Sequence, residues 1–381
     1  MNTVEILEKL IAFDTVSHKS NLDLIAFVEE LLKTSGFRVT RLPSPCGTKA
    51  GLYAEIGPEV DGGLLLSAHT DVVPVEGQVW TRPPFELTDE GDRLYGRGTT
   101  DMKGFVACAL ALATEAKAFD LRRPFAIVLS YDEEIGCVGL QEIQAQLAPL
   151  LKAPRLCIVG EPTEMQVTTG HKGKTALKAV FRGEAGHSAL APKFQNALHL
   201  ACDFMVELRS LQAEIAENGP FDDGYDIPYS TVHIGKLCGG TALNIVPERA
   251  EMLFELRNIP QQSDAELLDR IHGLAAGLNA NVDEPAIELN ATNRYPGLDV
   301  DRGRSEIIEF ANATGTNFTK VAFGTEAGIL TEMGLPTVVC GPGSMTGQGH
   351  KADEFILRQQ LAKCEETLSR ALGRFCIDSN E

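Results

Sequence analysis

The sequence predicts an α/β fold in two domains: a discontinuous α/β/α domain interrupted by an inserted ferredoxin-like α+β domain. Three observations predict it. Short, continuous apolar runs alternate with helical patterns near both ends of the chain, as expected for strands buried on both faces between layers of helices. The middle of the chain changes rhythm and reads β-α-β-β-α-β, the ferredoxin-like order. The first rhythm then resumes after about Pro296. The first domain is therefore expected to comprise residues 1–174 and 286–381, and the insert residues 175–285.

Each element has its own reason. Residues 4–11 and 22–34 carry apolar side chains at helical spacing. The runs GLLLS (63–67), FAIVLS (125–130) and LCIV (156–159) lie between turn signals and read as buried strands. Residues 102–117 are rich in Ala and Leu and read as a helix. In the insert, residues 175–182 alternate as a half-exposed strand, and residues 192–217 form a long amphipathic helix with Pro192 near its start. Residues 231–236 and 251–257 give two further strands, residues 263–279 a helix behind Ser263, and residues 286–292 a last strand. Beyond it come a helix at 304–313, a loop and short helix at 324–333, a buried PTVVC strand at 336–340 and a closing helix at 355–372.

A chain of 381 residues suits two or three domains, each able to bury a core. Against 34 basic residues stand 53 acidic ones, a formal net charge of −19 that repels nucleic acid and anionic membranes. The start, MNTVEILEKL, lacks the basic and apolar regions of a secretory leader, and no run of apolar residues is long enough for a membrane span. The cysteines are nine, with no CxxC, and most, such as Cys108, Cys157, Cys202 and Cys340, sit in apolar runs. They read as reduced, buried small hydrophobes, so a cytoplasmic protein is expected.

The chemistry lies at the ends of the buried runs. GLLLSA leads into His69, Thr70 and Asp71; FAIVLSY into Asp132, Glu133 and Glu134; LCIVG into Glu161; and PTVVC through GPGSMTGQG to His350. Asp101 precedes the helix that opens at Met102. Open α/β sheets gather ligands beyond the carboxyl ends of their strands. Five elements thus deliver imidazole or carboxylate to one rim, where a solvated turn or a helix cap would explain any one of them alone. Two histidines and several carboxylates exceed what one tetrahedral zinc needs and suit two divalent ions bridged by a carboxylate. Such a pair polarises a carbonyl and acidifies a water, and the adjacent Glu133 and Glu134 can share the roles of base and ligand.

The stretch LSAHTDVVPVEGQVWTRPPFELTDEGDRLYGRGTTDMKG resembles the zinc aminoacylase and carboxypeptidase (M20) metallopeptidase family, as do YDEEIGCVGL, IVGEPTEMQVTTGHKGK, GEAGHSALAP and GQGHKADEF. The resemblance runs from about Glu5 to the closing helix. It implies a catalytic domain holding two divalent ions, most simply Zn²⁺ with Co²⁺ also suited. His69 and Glu161 would bind the first ion, Asp101 would bridge, and Glu134 and His350 would bind the second. Asp71 would accept the His69 ring N–H. Glu133 would be the general base, and the Asp101–Met102 peptide would be cis. The inserted domain would be a lid that also forms a homodimer interface. There His187 would reach the partner's site and stabilise an oxyanion, and Asn244 and Arg257 would contact substrate.

Within the family, PPFELTDEGDRLYGRGTTDMKGF, GEPTEM, GHKGKT and GTEAG resemble the acetylornithine deacetylase branch. That implies release of acetate and L-ornithine from N2-acetyl-L-ornithine, a step of arginine biosynthesis. Desuccinylation of succinyl-diaminopimelate, deacetylation of acetylcitrulline and broader aminoacylase activity stay open as alternatives. The GTEAG loop places Glu326 where the desuccinylase branch has a GTSDG-like pattern. An acidic residue there is expected to favour a cationic side chain; its bland alternative is a helix N-terminal Glu favoured by the dipole. No nucleotide-binding pattern is present.

Overall fold

The computed structural model describes residues 1–279 and 286–378. The chain divides into two compact units. The first comprises Met1–Gly170, Asp299–Thr319 and Thr325–Glu381, and the second His171–Leu298 and Lys320–Gly324.

The first unit is built on a mixed sheet. In spatial order its leading strands are Arg38–Pro43, Ala50–Ile56, Phe125–Ser130, Leu64–His69, Leu156–Pro162, Thr337–Gly341 and Val167–His171. Its centre is parallel: Leu64–His69 lies between Phe125–Ser130 and Leu156–Pro162, and Thr337–Gly341 extends the run. Every residue of these four strands is buried, which is why the sequence shows them as unbroken apolar runs. Withdrawing a leucine such as Leu65 or Leu66 from water contributes about 1.5–3 kcal/mol. The helix Lys103–Ala116 is itself nearly all buried, packed against Thr3–Ile11 and Arg358–Leu372.

The second unit is a four-stranded antiparallel sheet in the order Thr231–Gly239, Arg249–Asn258, Gly173–Arg182, Ile287–Tyr295. With the helices Ala197–Asn218 and Asp264–Asn279 this is the ferredoxin-like arrangement the rhythm predicts. Leu177, Phe181, Phe204, Leu208, Met252 and Ile271 form its core.

The boundaries differ from those expected. The expected limit at 285 falls among residues outside the described ones. The strand Ile287–Tyr295 pairs with Gly173–Arg182, Tyr295 opposite Lys174, so one sheet carries both into the second unit and its limits move to 171 and 298. The long helix starts at Ala197, because the Asn196 side chain caps Leu198 N and His199 N while Ser188–Lys193 forms a separate 3-10 turn. Phe355–Leu357 is a strand paired with Arg93–Tyr95, and the closing helix begins at Arg358. Cys202 is exposed, as are Cys46 and Cys238, whereas the other six free thiols are buried. Among the described residues no helix is long and apolar enough to cross a membrane.

Candidate metal centre

Parallel register brings the strand ends to one rim. His69 lies opposite Ser130, Ser67 opposite Val159, and Pro162 opposite Gly341. His69 ends its strand, the turn carrying Glu133 and Glu134 follows Ser130, Glu161 lies just before the end of its strand, and His350 closes the loop after Gly341. Asp101 arrives from a turn ahead of Lys103–Ala116; the Asp101–Met102 peptide is cis, and the helix takes no side-chain cap. The carboxylate is therefore not spent on a cap.

The two oxygens of Asp101 face different histidines. Oδ1 lies 3.1 Å from His69 Nε2 and Oδ2 3.2 Å from His350 Nε2. Glu161 Oε1 is 3.6 Å from His69 Nε2, and Glu134 Oε2 is 3.0 Å from His350 Nε2. His69, Asp101 and Glu161 are at most 3 % exposed, and Glu134 Oε1 is buried without a hydrogen-bond partner among the described residues. Four carboxylates and two imidazoles brought together, all but His350 largely withdrawn from water and with an orphaned oxygen among them, are a donor set that fits divalent cations. His69, Glu133 and Glu161 form one group of ligand atoms close enough to share an ion, and His69, Asp101 and Glu134 another.

The electrostatics carry the same strain. Burial pushes Glu133 up to about 7, offset in part by His69 and reinforced by Glu326. Burial and the Asp101 charge push Glu134 to about 8 and Glu161 well above the usual range. Burial would raise Asp101 too, but its bonds to His350 and His69 hold it low. Those from Asp101 and Glu134 lift His350 to about 10. Crowded carboxylates thus retain protons that a dication would displace.

Asp71 faces the His69 ring and also holds the next turn. The His69 ring Nδ1 lies 2.9 Å from the Asp71 backbone carbonyl and 3.5 Å from its carboxylate Oδ1. That carboxylate also accepts Glu133 N at 3.1 Å, Glu134 N at 3.3 Å and Ser17 Oγ at 2.6 Å. It grips the backbone of the 133–134 turn while its carboxylate and its main-chain carbonyl both face the His69 ring. Glu326 is buried at the start of the helix Ala327–Glu332; its Oε2 accepts from Ser130 Oγ at 2.8 Å and its Oε1 has no hydrogen-bond partner among the described residues. Burial pushes it to about 7.

The model for peptidase family M20/M25/M40 matches residues 65–374. The chain belongs to this family. Its sequence is 34% identical to an acetylornithine deacetylase of Myxococcus xanthus, covering 97% of this chain and 96% of that one. It is 31% identical to an acetylornithine deacetylase of Shigella sonnei (strain Ss046), covering 98% and 97%. An M20 family metallo-carboxypeptidase of Sulfolobus solfataricus shares the fold with a TM-score of 0.80 at 19% identity, over 98% of each chain. This M20 chain is a hydrolase, and its rim presents donors for two divalent ions.

Three expected residues of the M20 chain lie in the second unit. His187 is exposed, its Nδ1 accepting from Ala189 N at 3.1 Å. Asn244 is exposed on the neighbouring segment, where its carbonyl accepts from Ser188 N. Arg257 is part-buried, donating from Nε to Glu255 at 3.0 Å and from Nη1 to the Tyr295 hydroxyl at 2.9 Å. Sequence reasoning missed Arg97, Gln78 and Glu354, whose partners lie far away along the chain. Only the place of Glu354 in GQGHKADEF, four residues after His350, hints at a link.

Proposed function

We propose that the chain hydrolyses the amide of an N2-acyl amino acid, N2-acetyl-L-ornithine foremost, to acetate and L-ornithine. The observation that carries this reading is Asp101, placed with one oxygen toward His69 and the other toward His350. In this reading His69 and Glu161 hold one ion, Glu134 and His350 the other, and Asp101 bridges, with Zn²⁺ the ion most suited to the set. Bound ions supply Lewis acidity to the acyl carbonyl and lower the pKa of water. The protein's own groups manage the protons and the substrate. Glu133, held through its backbone by Asp71, takes the proton of the attacking water and passes it to the departing amine. His187 and Asn244 meet the acyl group and the substrate, His187 from a partner subunit in a homodimer formed by the second unit. Arg257 meets the α-carboxylate.

Glu326 is the proposed source of substrate preference. A buried carboxylate with an unpartnered oxygen favours a cation and disfavours an acyl tail ending in carboxylate. The two deacetylase relatives support the substrate assignment, and with it a cytoplasmic role in arginine biosynthesis. Hydrolysis of N-acetyl-L-ornithine, N-acetyl-L-citrulline and N-succinyl-diaminopimelate by zinc-loaded protein, each with a chelator control, tests it. The expected result is a chelator-sensitive preference of about tenfold or more for acetylornithine, roughly 1.4 kcal/mol in transition-state binding. Preference for either other substrate overturns the substrate and keeps the metal chemistry; no hydrolysis of any overturns both.

A further inference from the structure

We infer that Glu354, Arg97 and Gln78 are positioning residues that set the spacing of Asp101 and His350, the two ligands on either side of the second metal position. The inference rests on the two-metal reading above. His350 ends a glycine-rich loop, outside any helix or strand, and its side chain is 49% exposed. Asp101 is buried on a separate turn, yet the two side chains must approach to 3.2 Å. A closed chain of hydrogen bonds joins their backbones. Gln78 Nε2 donates to the His350 carbonyl at 2.9 Å, and Gln78 Oε1 accepts from Arg97 Nη2 at 2.5 Å. Arg97 Nη1 donates to Glu354 Oε2 at 2.6 Å and to the Lys351 carbonyl at 3.2 Å. Glu354 Oε1 then accepts from Thr100 N at 2.8 Å and from Asp101 N at 3.2 Å, while Oε2 takes Gly98 N at 3.1 Å.

The placement of this pair argues for a role beyond general packing. Arg97 and Glu354 are each 1% exposed, with the guanidinium 4.9 Å from the Trp80 ring centroid. A buried ion pair is weak support for stability, because lost hydration offsets the attraction. What this pair does provide is direction: among the described residues, every side-chain hydrogen bond of Glu354 runs to Arg97 or to a backbone N–H of the 98–101 turn. The ligands assigned to the first ion alone, His69 and Glu161, stand on strands and lie outside the chain of bonds. Breaking the chain at its His350 end, through Gln78, should therefore weaken the second ion more than the first, because Asp101 is shared by both.

Zinc titration of chelator-stripped protein, followed by calorimetry and by competition with a chromophoric chelator, tests this. Wild-type protein is expected to bind two ions. Gln78→Ala, at a half-buried position, should bind the first ion as wild type and the second about ten- to a hundredfold more weakly. The melting temperature without metal should not change. Glu354→Gln, which loosens the backbone of the shared Asp101, should weaken both ions. Two wild-type affinities in Gln78→Ala overturn the inference, as does equal weakening of both ions in that variant, which marks general loosening. Wild-type protein that binds fewer than two ions overturns the two-metal reading itself, a failure separate from that of the positioning chain.

Discussion

At the scale of single residues, adjacent carboxylates are separated by what surrounds them. Glu134 Oε2 faces His350 at 3.0 Å, whereas Glu133 receives the Cys137 thiol at 3.3 Å. Both backbones hang from the Asp71 carboxylate, so a shared support presents neighbouring side chains to different tasks. Yet Glu133 also lies close enough to His69 and Glu161 to join a ligand group, and geometry alone leaves it either task. Glu133→Ala distinguishes them. If Glu133 is the base, the variant keeps two ions by elemental analysis and loses about 10²–10⁴-fold in kcat, with KM nearly unchanged. Loss of an ion from the variant would make Glu133 a ligand and leave the base to another group. The sequence marks both residues through the apolar run before them. It does not mark the grip of Asp71, because backbone N–H groups are the same in every residue.

At the scale of elements, the centre is only as well placed as the packing behind it. The helix Val138–Leu147 follows the 133–134 turn directly and closes down on Tyr131. A β-carbon at Gly139 would lie 1.8 Å from the Tyr131 carbonyl oxygen, so no side chain fits without moving helix and strand apart. Gly139→Ala is expected to destabilise the protein by about 1–3 kcal/mol despite the higher helix propensity of alanine. It should also lower kcat by displacing the turn. A denaturant midpoint equal to or above that of wild type would show that the helix can shift freely. The legible strands were those both buried and apolar in composition: Leu64–His69, Phe125–Ser130, Leu156–Pro162 and Thr337–Gly341 appear in the sequence as apolar runs, whereas Val167–His171 is as fully buried but reads VTTGH and gives none. The edge strand Arg38–Pro43 is mostly exposed and polar and gives no such run. Phe355–Leu357 has the composition of a helix start, and pairing with the distant Arg93–Tyr95 makes it a strand. Local pattern reports apolar burial well and pairing across long sequence separation poorly.

At the scale of the whole molecule, the centre concentrates negative charge inside a chain already at −19, so its stability should depend jointly on metal and pH. Without metal, folding raises Glu133 to about 7 and Glu134 to about 8, mainly through burial. A carboxyl raised on folding favours the folded state least once it must ionise, so stability falls as pH climbs from the unfolded value near 4.5 toward 8. His350, raised to about 10 by its bonds to Asp101 and Glu134, gives stability that is complete below about 6.5 and is lost toward 10. Both effects weaken the metal-free fold as pH rises. Metal binding has the opposite slope, because it requires ionised carboxylates and neutral imidazoles. The stabilisation by zinc, about 2.7 kcal/mol per site at a hundredfold excess over Kd, should therefore be greater at pH 8 than at pH 6. Melting curves with zinc and with chelator at both values measure it: the gap should widen with pH, mostly through the falling chelator curve. Hydrogen exchange should place the change at 69–71, 101–103, 133–137 and 350–354, while the sheet of the second unit, which carries none of these ligands, keeps its protection. A gap that is constant or narrows with pH would mean that the protons on Glu134 and His350 are not those that the metal displaces, and that the donor set reads as an ion-pair network rather than a metal centre.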